Sequence, residues 1–127
     1  IGTGRGYHAA VTAEIVGEGS VYSVEYESDL AETARETLDR LGYDVAVRQG
    51  DGHCGWPEHA PYDAAYLTCA AADFPDAVVE QVRDGGRLLA PLGGRGDQTL
   101  VFAEKRDGAL DRERRGAVRF VPMRGGE

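Results

Sequence analysis

Segments with the pattern of a strand alternate with segments of helical period along most of this chain, and the connections between them are short. Parallel strands need such crossover helices, so the alternation favours an α/β fold whose mostly parallel sheet is covered on both faces. Helices are predicted over residues 7–16, 29–41 and 74–82, and strands over 20–26, 45–49, 64–68 and 86–91.

The second predicted helix carries the clearest local signals. Ser28 is expected to cap its N-terminus, and Gly42 is expected to end it. Apolar residues recur there at helical spacing. The predicted buried stripe consists of Leu30, Ala34, Leu38 and Leu41.

The end of the chain departs from the alternation. Residues 99–105 and 114–121 have strand patterns, and the segment between them contains Asp107-Gly108. An Asp-Gly pair between two strands is typical of a hairpin. We therefore predict an antiparallel pair that closes one edge of the sheet.

Composition argues against several classes of protein. The chain has 127 residues and a formal charge of -8, whereas binding of nucleic acid phosphates requires clustered positive charge. The uncharged stretch at 64–72 is far shorter than the ~20 residues that cross a bilayer.

Cys54 and Cys69 lack redox or metal-motif spacing, which favours reduced thiols in the cytoplasm. The acid excess, with Lys105 as the one lysine, also suits a protein of high-salt surroundings.

A glycine-rich loop, Gly2-Thr3-Gly4-Arg5-Gly6, precedes the first predicted helix. Glycine lets the backbone turn tightly and approach a ligand. Glu25 lies 21 residues after Gly4, at the end of the next predicted strand. A carboxylate at this position can accept hydrogen bonds from both hydroxyls of a ribose. The spacing fits a dinucleotide cofactor equally well, and an ordinary glycine turn with a solvated acid is the plainer alternative.

A second acidic residue follows the strand predicted at 45–49. Gly50-Asp51-Gly52 stands at the carboxyl end of that strand, where open α/β sheets bind their ligands. Asp51 is a candidate acceptor for an adenine amino group. The alternative is an ordinary Asp-Gly turn.

Taken together, these segments resemble the protein-L-isoaspartate (D-aspartate) O-methyltransferases. The stretch IGTGRGY at 1–7 is similar to the family's glycine loop, and GDGHCGWPEHAPYD at 50–63 is similar to its most distinctive stretch. VRFVPM at 118–123 resembles its closing segment. The resemblance covers essentially the whole chain.

The resemblance implies the Rossmann-like, three-layer fold of S-adenosylmethionine-dependent methyltransferases, with a mostly parallel sheet and an antiparallel C-terminal edge. It also implies a single domain over 1–127, in which 1–105 form the cofactor-binding part and 106–127 the C-terminal strands. Members of the family carry a further segment before the glycine loop, with a first strand and a serine that contacts the substrate carboxyl. We therefore expect that first strand to be missing from this chain and the serine to lie upstream of Ile1.

The activity implied by the resemblance is methyl transfer from S-adenosylmethionine to the α-carboxylate of L-isoaspartyl residues in damaged proteins, with D-aspartyl residues left open. The expected partners are isoaspartyl proteins and peptides, with no nucleic acid and no membrane, and the expected state is a cytoplasmic monomer. The implied cofactor-binding residues are Gly2, Thr3, Gly4, Gly6, Glu25, Tyr26, Asp51 and Gly52, and the implied substrate-binding residues are Thr3, Val121 and Pro122.

Such a reaction needs no general base, because a carboxyl group with a pKa of about 3.5 to 4 is already ionised at neutral pH. The chain has three histidines, His8, His53 and His59, and they lack triad or metal-ligand spacing. We therefore predict that they are not catalytic and that no metal is bound.

Two other groups of residues have two interpretations each. Trp56 and Pro57 either pack locally or belong to a lid over the cofactor. Arg112, Arg114 and Arg115 either form a solvated face or attract negative groups of the substrate. Three competing functions also stay open: an RNA methyltransferase of the same fold, a non-catalytic cofactor-binding fragment and a nicotinamide-dependent oxidoreductase.

Overall fold

The computed structural model describes residues 1–17 and 20–126. The chain divides into two compact units, Ile1–Gly52 and a second that begins at His53. The expectation of a single domain stays a prediction. Among the described residues, no helix has the length and apolar character that crossing a membrane requires.

The first unit has the alternating order that the sequence predicts. Its strands pair in parallel, in register from Val21 beside Val45 to Glu25 beside Gln49. The carboxyl ends of the strands therefore meet at one sheet edge. The elements are α1 (Tyr7–Val16), β1 (Val21–Glu25), α2 (Ser28–Arg40) and β2 (Val45–Gln49).

The buried face of α2 differs in part from the predicted stripe. Ala34 and Leu38 are buried as expected, and Ala31 joins them. The prediction was wrong for Leu30 and Leu41, which are 40% and 61% exposed. Residues 31, 34 and 38 share one helix face, whereas Leu30 lies about 100° away from Ala31 and Leu41 follows the last helical residue.

Of the two predictions for the ends of α2, one is confirmed and the other is wrong. Gly42 confirms the predicted stop, with φ +83 and its N–H bonded to the Asp39 carbonyl. Ser28 is not the N-cap, because it is already helical and Glu27 takes the extended capping conformation without a side-chain cap bond. The Glu27 N–H instead donates to the Glu25 carboxylate at 2.9 Å.

The second unit contains a mixed sheet in the order β3-β4-β5-β6. β3 and β4 are parallel, and the pairs that follow are antiparallel, which confirms the predicted C-terminal edge. Asp107 and Gly108 connect β5 to β6 with φ of 51° and 79°, as a type I′ hairpin requires. The elements are β3 (Tyr62–Tyr66), α3 (Asp76–Gln81), β4 (Val82–Gly93), β5 (Gln98–Arg106) and β6 (Ala109–Val118).

The residues after β6 change partner instead of continuing the hairpin to Val121. The Ala70 N–H donates to the Val121 carbonyl and the Met123 N–H donates to the Ala70 carbonyl, each at 2.7 Å. Pro122, which has no N–H, stands between these two bonds, so the pairing loses nothing to the proline. We call residues 119–123 the C-terminal segment.

Lys105 on β5 closes the end of α3. Its Nζ donates to the carbonyls of Val79 and Val82 at 2.9 and 2.8 Å. The last carbonyls of a helix lack partners within the helix, and this side chain donates to one of them, Val79, and to Val82, with which β4 begins.

An ion pair links β6 to the start of the α3 region. Arg112 Nη1 donates to Asp73 Oδ1 at 2.7 Å, and the guanidinium lies 5.3 Å from the centre of the Phe74 ring. The hydrogen bond from Arg112 holds the pKa of the Asp73 carboxyl below its ordinary value, and partial burial opposes this only in part. Arg115 is placed similarly, over the ring of Phe102 at 5.1 Å.

We expect the free energy of unfolding of Asp73→Asn to fall less steeply at acid pH than that of the native chain. Because the pKa of Asp73 is lowered in the folded state, its contribution is present above its unfolded pKa of about 3.9 and is lost as the pH falls through the folded value. Urea unfolding between about pH 6 and pH 2 measures this loss. The control is Asp97→Asn, whose carboxylate is 98% exposed and 3.9 Å from Arg119. The expectation would be contradicted if the free energy of unfolding fell equally steeply with falling pH in the Asp73 variant and in the native chain.

Candidate functional site

The glycine loop folds over the carboxyl end of β1 and leads directly into α1. The Gly2 N–H donates to the Val24 carbonyl at 2.9 Å, and the Gly6 N–H donates to the Thr3 carbonyl at 2.9 Å. Gly2, Gly4 and Gly6 all have positive φ, of 88°, 54° and 94°. Glycine adopts positive φ at no steric cost, so the loop has the backbone that its spacing predicts.

Two glycines of the loop differ in their surroundings. A Cβ on Gly6 would lie 3.3 Å from the Leu38 side chain, so this glycine allows the loop to pack closely on α2. A Cβ on Gly4 would meet no atom within 4 Å. The loop is therefore packed at Gly6 and open at Gly4, where a ligand has room to approach the backbone.

Glu25 connects the glycine loop to the start of α2. Its carboxylate is buried, with the residue 8% exposed. Oε1 accepts from the Gly4 N–H at 2.8 Å and Oε2 accepts from the Glu27 N–H at 2.9 Å. A carboxylate offers about four acceptor positions, so about two remain after these bonds, one for each hydroxyl of a ribose.

A pair of hydroxyls lies beneath the loop. Thr3 Oγ1 and Ser23 Oγ are 2.6 Å apart, and both residues are 7% exposed. Thr3 was predicted as a site residue from the resemblance. Ser23 was not, although a serine inside an apolar strand pattern is a signal that it has a buried polar partner.

The second acidic turn lies at the same sheet edge as Glu25. The Gly50 N–H donates to the Glu25 carbonyl at 2.8 Å, and Gln49 Nε2 donates to the Tyr26 carbonyl at 2.8 Å. Asp51 follows directly and is half-buried, and Gly52 is buried at the start of a 3-10 turn. The residues predicted for the cofactor thus all belong to the first unit and gather around the ends of β1 and β2.

The predicted substrate residues Val121 and Pro122 belong to the second unit. Main-chain bonds to Ala70 hold them in the C-terminal segment, and Val121 is 71% exposed. Their role as substrate contacts stays a prediction.

The loop around Trp56 is fastened within the second unit by Gln81, which the sequence interpretation missed. Gln81 Oε1 accepts from the Trp56 N–H at 2.8 Å, and Gln81 Nε2 donates to the Cys54 carbonyl at 3.0 Å. The Tyr62 hydroxyl donates to the Trp56 carbonyl, and the Trp56 and His59 rings meet edge to face. These contacts favour the packing interpretation of Trp56 over a lid.

No three His, Cys, Asp or Glu side chains of residues 1–17 and 20–126 come together in a way that could hold a metal ion. Neither Cys54 nor Cys69 is in a disulfide; the first is exposed and the second buried.

The βαβ unit, the glycine loop and the carboxylate at the end of β1 are those of a Rossmann-like fold, and its likeness to solved S-adenosylmethionine-dependent methyltransferases places it in that fold class. A solved protein-L-isoaspartate O-methyltransferase superposes with a TM-score of 0.91 at 34% identity, covering 98% of this chain and 40% of its own. A second structure, described as a putative protein-L-isoaspartate O-methyltransferase from Plasmodium falciparum in complex with S-adenosyl-L-homocysteine, has a TM-score of 0.77 at 20% identity. It covers 97% of this chain and 63% of its own, and shows the fold alone.

The family described as Protein-L-isoaspartate(D-aspartate) O-methyltransferase (PCMT) matches residues 1–127, and the chain belongs to it. Protein-L-isoaspartate O-methyltransferase 2 of Archaeoglobus fulgidus is 48% identical over 127 residues. The match covers 98% of this chain and 58% of that protein, so the chain spans less than two thirds of this relative's length.

Replacing Gly6 with Ala should lower the free energy of unfolding by about 1 to 2 kcal/mol, because a Cβ is strained at positive φ and crowds Leu38. Gly94→Ala is the control, since Gly94 has no positive φ and its Cβ would meet nothing within 4 Å. Urea unfolding measures both variants. Equal changes in the two variants would argue that packing of the loop on α2 contributes nothing.

Proposed function

We propose that this chain carries the catalytic domain of a protein-repair enzyme that transfers a methyl group from S-adenosylmethionine to the α-carboxylate of L-isoaspartyl residues, with D-aspartyl residues as a second acceptor left open. The observation that carries the proposal is the buried carboxylate of Glu25 bonded to the Gly4 N–H at 2.8 Å. Membership of the family supplies the reaction class.

The residues present fit S-adenosylmethionine. The open backbone at Gly4 gives the methionine end room beside Gly2, Thr3 and Gly6. When bound, the cofactor supplies a methyl group on a positively charged sulfur. Membership of the family supports this assignment.

We assign binding of the adenosine part of S-adenosylmethionine to residues at the ends of β1 and β2. Glu25 accepts hydrogen bonds from the ribose hydroxyls. It does so at the carboxylate acceptor positions that its bonds to the two backbone N–H groups do not use. Asp51 would accept from the adenine amino group, and Gly52 and Tyr26 would help to hold the adenosine part. A ribose that binds Glu25 therefore contacts the group that already holds the glycine loop.

The acceptor carboxylate needs no deprotonation, so the protein's task is to place it and to remove its water. Holding two reactants at attack distance supplies several kcal/mol in reactions of this type. We assign the framing of the peptide to Thr3, Val121 and Pro122. The histidines His8, His53 and His59 have no part in this scheme.

The proposed partners are proteins and peptides that carry isoaspartyl residues. The formal charge of -8 gives no support to a nucleic acid partner. We propose a cytoplasmic monomer that binds neither nucleic acid nor membrane, in keeping with two cysteines that form no disulfide.

Labelled methyl transfer tests the function, with the 127-residue chain and the complete reading frame that encodes it measured side by side. The substrates are an isoaspartyl peptide and its normal aspartyl twin. Transfer to the isoaspartyl peptide alone is the expected result. Binding of the cofactor without transfer to either peptide would redirect the search to another methyl acceptor.

Glu25→Ala should weaken cofactor binding by about 1 to 3 kcal/mol, because charge-assisted bonds to the ribose are lost. Calorimetric titration with S-adenosyl-L-homocysteine measures the dissociation constant, and urea unfolding separates lost affinity from a loosened loop. The matched control is Glu32→Ala, an exposed glutamate on α2. An unchanged dissociation constant in Glu25→Ala would reject the ribose role.

Asp51→Ala should weaken binding of adenosine more than binding of methionine, since the proposed contact is to the adenine amino group. Titrations with the two fragments measure the difference. Equal losses for both would show that Asp51 only shapes the turn after β2.

A further inference from the structure

Gln98, the first residue of β5, is a buried polar side chain to which the proposed reaction assigns nothing. It is 4% exposed. Its Nε2 donates to the Gly94 carbonyl at 2.8 Å, and its Oε1 accepts from the Phe120 N–H at 2.8 Å. Both ends of the amide are therefore engaged, as a buried amide requires.

The bond to Phe120 is formed where the β5-β6 ladder stops. The main chain of Gln98 pairs with Val118, the last residue of β6. The N–H of Phe120, two residues later, finds the Gln98 side chain in place of a strand partner. The side chain thus continues the ladder for one bond at the start of the C-terminal segment.

The backbone around Gln98 is built for close approach. Gly93 pairs with Gln98 across the β4-β5 connection and has φ +145. A Cβ on Gly93 would lie 2.9 Å from the Asp97 carbonyl oxygen and 3.2 Å from Gln98 Cα. Only glycine fits there, so the turn sets the position of Gln98 tightly.

The C-terminal segment is consequently held on both sides of Val121. Gln98 fixes Phe120 before Val121, and Ala70 fixes the Val121 carbonyl and the Met123 N–H. Val121 itself is 71% exposed. A side chain presented to the outside from a backbone anchored at both ends is preorganised for contact with another chain.

We propose that Gln98 is a positioning residue that sets the affinity for the isoaspartyl peptide by holding the C-terminal segment in its binding shape. The inference rests on the proposed function, in which Val121 and Pro122 frame the peptide. Gln98 acts through the segment, so it changes peptide binding and leaves the cofactor residues of the first unit untouched.

The test compares Gln98→Met, which is similar in size and forms neither bond, with the native protein in the complete reading frame. We expect KM for the isoaspartyl peptide to rise about 3- to 10-fold, as the loss of one such hydrogen bond implies, with kcat and the dissociation constant of S-adenosyl-L-homocysteine within about twofold. Gln98→Glu keeps the acceptor for Phe120 and should recover part of the change in KM.

The control for general loss of stability is Lys105→Met, which removes two side-chain hydrogen bonds of the same unit that go to Val79 of α3 and Val82 of β4 instead of the segment. It should lower Tm without raising KM. An unchanged KM in Gln98→Met, or parallel rises in KM in both variants, would overturn the positioning role.

A second readout does not depend on activity. Amide hydrogen exchange of Phe120 should become faster in Gln98→Met and stay as in the native protein in Lys105→Met. If the native protein transfers no methyl to the peptide, the proposed function fails by that result, and unchanged exchange at Phe120 would separately overturn the positioning of the segment by Gln98.

Discussion

The first unit depends on one carboxylate. Glu25 ends β1, and its two oxygens receive the backbone N–H groups of Gly4 and Glu27, which belong to the glycine loop and the entry to α2. Since the Glu25 carbonyl also receives the Gly50 N–H after β2, three connections converge on one residue. A ligand that binds this carboxylate therefore meets a site whose geometry is already set, and little backbone ordering remains to oppose binding.

The parts of the fold that were predictable are those specified by short-range chemistry. Gly42 ends α2 with positive φ, and Asp107-Gly108 makes the hairpin, because these residue types meet a local backbone requirement. The glycine loop and Glu25 were found by their spacing, since α1 and β1, which connect them, bring residues about 20 apart to one sheet edge.

The errors and omissions arose where tertiary packing decides. Leucines at 30 and 41 carry a stronger hydrophobic signal than Ala31, but α2 turns its small residues to the strands, so that Ala31 is 1% exposed. Ser23, Gln81 and Gln98 are single polar residues without a periodic signal, and their partners lie 20 to 27 residues away or across a turn. The change of partner after Val118 likewise depends on Ala70, which no local pattern indicates.

The fastening of Trp56 by Gln81 has an optical consequence. Trp56 is the one tryptophan of the chain, and its backbone N–H is held by a side chain of α3. Intrinsic indole emission therefore reports the surroundings of this single loop in the second unit. Emission followed through heating would trace the release of that loop, whereas the glycine loop and Glu25 contain no tryptophan chromophore and would need circular dichroism or an added label to be observed.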